Sequence, residues 1–95
     1  MPNVTLGGLN TVAITAASGV YRLTYFPGSV DRSLDILNLG PGAIFIRLDS
    51  TNPSVNDPAS LQLPANWAVN KLVVDDVTGL GIIAAADTTI SVRMA

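Results

Sequence analysis

Apolar residues recur at every second position through most of this chain, and that period narrows the fold more than any other feature. The C-terminal stretch "DTTISVRMA" sends Ile90, Val92 and Met94 to one side and Thr89, Ser91 and Arg93 to the other. "AIFIRLD" sets Ile44, Ile46 and Leu48 against Ala43, Phe45 and Arg47, and "VYRLTYF" sets Tyr21, Leu23 and Tyr25 against Val20, Arg22 and Thr24. "TVAITAA" pairs Val12 with Ile14, and "TGLGIIAAA" aligns Leu80, Ile82 and Ala84. Composition points the same way. The seven acids are all Asp, with no Glu, one Lys and one Gln, so the straight-chain helix formers are nearly absent while Val, Ile, Thr, Asn, Gly and Pro abound.

Turn formers punctuate these runs every eight to twelve residues or so. "PGS" after Phe26 breaks one strand, since Pro27 cannot donate to a ladder and Gly28 permits a positive φ. "GPG" (Gly40, Pro41, Gly42) and "TGLG" read as hairpin turns. "SLDILNL" slips out of phase: Leu34 and Ile36 share one face, then Leu37 and Leu39 take the other, so either both faces are covered there or a bulge shifts the register. The longest interruption, "DSTNPSVNDPAS", is almost all turn formers, and loops of that length in small domains are commonly functional. "LQLP" and "AVNKLVVDDV" follow as strands.

The expectation is an all-β, single-domain antiparallel β-sandwich or jelly-roll-like barrel of about 7–9 short strands. It would occupy residues 11–95, with residues 1–10 as an extended N-terminal arm able to add a strand to a neighbouring subunit. With 48% hydrophobic and 13% charged residues, the 95-residue chain lies far from the composition of disorder. No stretch reaches the ~18–20 apolar residues of a membrane helix, and "MPNVTLGGLN" lacks the pattern of a secretion signal, so no membrane association and synthesis in a cytoplasm are expected.

The residue inventory limits the chemistry. There is no His and no Cys, which removes the Ser-His-Asp and Cys-His arrangements and the usual zinc sites. Carboxylate chemistry remains, with Asp35, Asp49, Asp57 and the pair Asp75–Asp76 as formal candidates for a glycosidase dyad. The competing role is to bond backbone N–H groups in turns. Asp49, Ser50, Asn52, Asn56 and Asp57 are oxygen donors suited to calcium, but their spacing is not that of an EF-hand loop. No metal and no cofactor are expected. "NVT" at Asn3 fits a glycosylation sequon, which without a secretion signal reads as chance. The basic residues (Arg22, Arg32, Arg47, Lys71, Arg93) stand singly, so no stripe exists to bind a nucleic acid backbone.

What is left is recognition by surface fit. Trp67, the only Trp, is either a plug at one end of the sandwich or an exposed anchor. "LGIIAAA" and "KLVV" suit core or an apolar face awaiting another subunit, and the few charges favour some buried intersubunit area. Pro41 at the turn, Asn52, Pro53, Asn56 and Asp57 in the loop, and Trp67 are the residues expected to make protein contacts. Deleting residues 51–58 is expected to remove binding and spare the fold.

From Ser33 onward the pieces fall in a definite order: "NLGPG", "AIFIRLD", "STNPSVNDPAS", "LQLPAN", "LGIIAAA" and "TTISV". That series resembles a group of short, all-β virion proteins of tailed phages, over about two thirds of the chain. The resemblance implies a structural virion component, most of all a capsid decoration (cement) protein. Such a protein is a homo-oligomer, often a trimer, that binds the major capsid protein on the outside of the head; no catalytic residue is implied. Three other readings compete: a tail or fibre accessory domain binding host-surface sugar through Trp67 and the loop at 49–58, a neck or tail-completion adaptor, and a carboxylate-dependent hydrolase.

Overall fold

In a computed structural model, residues 2–7, 9–24, 33–48, 51–73 and 79–94 are described. Tyr25, Phe26, Pro27, Gly28, Arg32, Asp49, Ser50, Asp75, Asp76 and the side chain of Met94, all singled out above, lie outside the described residues. Nine strands are present among the described residues: β1 (Asn3–Thr5), β2 (Leu9–Ile14), β3 (Tyr21–Thr24), β4 (Ser33–Pro41), β5 (Ile44–Arg47), β6 (Leu61–Leu63), β7 (Ala68–Val73), β8 (Leu80–Ala84) and β9 (Thr88–Met94). They form a β-sandwich of two sheets, a five-stranded one in the order β1-β3-β8-β5-β6 and a four-stranded one in the order β2-β9-β4-β7.

The strand order follows from folding one long hairpin. β5 pairs with β6, β4 with β7, β3 with β8 and β2 with β9, all antiparallel, so the second half of the chain retraces the first. The loop between β5 and β6 is the tip of that hairpin. Rolling it brings β9 beside β4 and β8 beside β5, which closes the two sheets. This is the jelly-roll topology. Only the β5–β6 connection stays within one sheet; every other one crosses between the two.

Side chains divide as the alternation requires. Ile14, Leu23, Leu34, Ile36, Ile44, Ile46, Leu80, Ile82, Ile90 and Val92 meet in one buried cluster between the sheets. "LGIIAAA" is therefore core on its Leu80, Ile82 and Ala84 side.

Three local expectations are corrected. "GPG" is not a hairpin turn, because β4 and β5 belong to different sheets. The segment carries the chain from one sheet to the other, with a cis Gly40–Pro41 peptide. Gly42 lies so close to the backbone of Ala86 that a Cβ there would overlap the Ala86 carbonyl. A sheet-crossing corner and a hairpin turn draw on the same residue types, so the sequence does not separate them. "TGLG" likewise leads into β8 from a strand of the other sheet. The described residues of the stretch 1–10 do not form a separate arm either. Residues 3–5 are β1, parallel to β3, and Leu9 and Asn10 already belong to β2. Leu6 is buried and Val4 packs on the core, so this stretch carries apolar side chains that the sandwich itself takes up.

Candidate interaction surfaces

The two outer faces of the sandwich differ in what covers them. On the five-stranded sheet, Ile44 pairs with Ala84 and Ile46 with Ile82, all core residues, so the intervening pairs Phe45–Ile83 and Arg47–Gly81 point outward. Arg22 pairs with Gly81 from the other side. Phe45 is nevertheless only 3% exposed. A bare sheet face could not hide it, and the loop of residues 51–60 roofs this face.

Three contacts fix the roof. Pro53 is buried over Gly81, where an added Cβ would come within 2.8 Å of its ring carbon Cδ. Arg22 Nη2 donates to Asn52 Oδ1 at 3.1 Å. Arg47 Nη1 forms an ion pair with Asp57 Oδ2 at 3.4 Å. The loop also ties itself together, as Asp57 accepts from the Ala59 amide (3.0 Å) and the Ser60 hydroxyl (3.2 Å). The Ala59 amide first, and the Ser60 and Arg47 donors after it, hold the Asp57 carboxyl below the usual carboxylate range. The loop is part of the packing of this face, so deleting it would remove the contacts of Pro53, Asn52 and Asp57 with Gly81, Arg22 and Arg47. Asn56, with φ of 62°, and Val55 are exposed at its tip.

The four-stranded sheet is open. Its outward residues include Leu9 on β2, Leu37 and Leu39 on β4, and Ala68 on β7, all exposed, with Leu9 at 69%. A shallow groove of about 180 Å³ crosses this face between Leu9, Leu37, Ala68 and Asn70. The out-of-phase leucines of "SLDILNL" lie here, and Asn38 takes the inward place between them. The register shifts between Leu34 and Ile36 against β7, and again between Asn38 and Gly40 against β9. Neither shift turns Leu37 or Leu39 inward.

At the first shift, β7 sets two residues, Asn70 and Lys71, against Asp35 alone. Lys71 has φ of 55°, and its amide donates to Asp35 Oδ1 at 2.8 Å. Arg93 Nη2 reaches Asp35 Oδ2 at 2.8 Å. The Lys71 amide, then the Arg93 guanidinium, pull the Asp35 carboxyl below its ordinary value.

At one end of the sandwich Asn38 is fully buried and fully bonded. Its Nδ2 donates to the carbonyls of Gly42 (2.8 Å) and Leu63 (2.9 Å). Its Oδ1 accepts from the Thr88 hydroxyl (2.6 Å) and the Gly40 amide (3.0 Å). Its own amide donates to the Trp67 carbonyl at 2.9 Å. This residue thus joins β4, β6 and β9 through its side chain and holds the turn before β7 through its backbone, so Trp67 is anchored through its own carbonyl. Its ring is 62% exposed and does not plug the sandwich.

The residues expected to bind together are dispersed. Asn52, Pro53, Asn56 and Asp57 lie on the roof of one sheet, Trp67 precedes the edge strand of the other, and β6 separates the loop from Trp67. Pro41 lines a hollow shared with Thr15 and Asp87. Asp35 and Asp57 face opposite sides of the molecule, so they cannot flank one scissile bond. Asn52 and Asp57 spend their oxygens on arginines from β3 and β5, two strand spacings or about 10 Å apart. Among the described residues no group of three or more acidic, His or Cys side chains gathers to hold a metal. Asn38 and the open leucines were not foreseen as site residues. The out-of-phase leucines were the available signal for that face, and Gly81 inside a strand was the one for a close approach from above.

No family model, no curated protein and no solved structure matches this chain.

Proposed function

We propose that this chain is a structural protein of a phage virion, a decoration protein that seats on the outside of the capsid by the open face of its four-stranded sheet. One observation carries the docking half of the reading: Leu9, Leu37 and Leu39 stand exposed on one side of a sandwich whose other side is roofed. Contiguous apolar surface rimmed by polar groups marks protein contact sites. Here Asn70 and the Asp35–Arg93 pair form part of the rim. The virion half rests on the resemblance of the strand-and-turn series from Ser33 onward. A partner that binds only the assembled lattice stabilises it by mass action, and many copies sum that effect.

Counting copies in purified particles by quantitative mass spectrometry tests the reading. Hundreds per particle are expected, with Leu37→Lys lost from particles while still folded. A dozen or fewer would place the protein in a neck or tail, and absence would overturn the virion reading. The exposed ring of Trp67 supports a second reading, a tail or fibre accessory domain binding sugar. Glycan binding that disappears in Trp67→Ala, with particle copy number low, would favour it.

A further inference from the structure

Each sheet has two edges, and three of the four are blunted. In the five-stranded sheet the edges are β1 and β6, each three residues long. In the four-stranded sheet one edge is β7, interrupted by the bulge at Lys71. Shortness, bulges and lysine are the devices that keep an edge from pairing with another chain. β2, the remaining edge, has none of them. Its six residues, "LNTVAI", pair with β9 from Leu9–Arg93 to Ile14–Thr88 without a register shift, and they include no charge, no Gly and no Pro. Among the described residues, no strand lies on its far side.

We propose that β2 pairs with β2 of a second copy of this chain, antiparallel about a two-fold axis through Thr11. The four-stranded sheets of the two copies would join into one of eight strands (4 + 4). A two-fold axis sets like against like, so any charge near the centre of the strand would face its own copy. An uncharged edge is what self-pairing requires and a foreign partner does not. The side chains also match. About Thr11, Leu9 lies opposite Ala13, large against small, and Thr11 opposite Thr11, all on the outward face. Leu9, the most exposed of the large apolar residues at 69%, gains a cover. The two open faces become one continuous surface. The dimer replaces the trimer that the resemblance implies, and it does not rest on the decoration reading: a dimer absent from virions would end that reading and leave this one standing.

The chain has no Cys, so single cysteines report the pairing directly. Directly opposed residues in an antiparallel pair have Cα atoms about 4.5–5.5 Å apart, within disulfide reach. Thr11→Cys is expected to give a covalent dimer under mild oxidation, and Val12→Cys, opposite Asn10, is not. Light scattering of the unmodified chain should show a mass of two chains that falls on dilution, since an edge contact is smaller than a standard interface. Thr11→Lys should weaken the dimer about tenfold or more by placing two ammonium groups on the axis, with an unchanged circular dichroism spectrum. Asn70→Lys, on the opposite edge of the same sheet, should leave the dimer intact. A one-chain mass at every concentration, a trimer, a dimer indifferent to Thr11→Lys, or crosslinking at Val12 in place of Thr11 would each overturn the proposal.

Discussion

The two outer faces of this sandwich have had opposite fates. On the five-stranded sheet an aromatic residue, Phe45, points away from the core and is still hidden, on the face over which the tip of the long hairpin folds back. On the four-stranded sheet Leu37 points away from the core and stays 37% exposed. Local hydropathy does not explain the contrast, since both faces carry large apolar groups at outward positions. Gly81 leaves room for the Pro53 ring, and two arginines, one on each flanking strand, hold Asn52 and Asp57. The other face offers an acid already engaged by Lys71 and Arg93 and a hairpin tip on the wrong side of the molecule. An outward apolar residue becomes core only where a chain segment can reach it.

Truncation on the two faces should break or sharpen this contrast most. Phe45→Ala is expected to cost about 3–5 kcal/mol in urea unfolding, as for a core aromatic, and Leu37→Ala about 1 kcal/mol or less. Equal losses at the two sites would mean that the roof does not bury Phe45. A smaller effect is expected from Gly81→Ala, whose methyl would press on the Pro53 ring at 2.8 Å and on Arg22 Nη2 at 3.4 Å. Overpacking of this kind costs about 1–3 kcal/mol. It should also speed proteolytic cleavage within residues 51–60; an unchanged cleavage rate would show that the roof is already loose.

The smallest effect belongs to acid. Asp35 and Asp57 both have carboxyl pKa values lowered in the folded protein. Their contribution is therefore complete above the unfolded value of about 4 and disappears as pH falls through the folded value. The melting temperature should decline below about pH 4, and Asp57→Asn should flatten that decline while Asp35→Asn flattens it on the other face. A melting temperature independent of pH in that range would remove both carboxylates from the account. Both keep part of their surface in water, so added salt should weaken the effect.

These tests also separate what was legible from what was not. The alternation in "DTTISVRMA", "AIFIRLD" and "LGIIAAA" correctly assigns Ile44, Ile46, Leu80, Ile82, Ile90 and Val92 to the core. The register does shift along β4, but Leu34, Ile36 and Asn38 all stay inward, so the slip at "SLDILNL" marks leucines left exposed on the outer face. The turns misled, because Gly and Pro mark where a chain bends and not which sheet it enters next. The candidate site was the least legible. Asn52, Pro53 and Asp57 were read as residues of a binding loop, and the structure sets them against the protein's own arginines and glycine.

By itself, then, the sequence determined the period, the class and the inward face of each strand, since these depend on neighbours two positions apart along one chain. Which strands pair, which outer face is covered and which edge stays free were decided only in the tertiary structure. Those outcomes depend on groups dozens of residues apart, such as Arg22 with Asn52 and Asn38 with Thr88. Their attraction acts only once the hairpin has rolled up, and no local pattern encodes it.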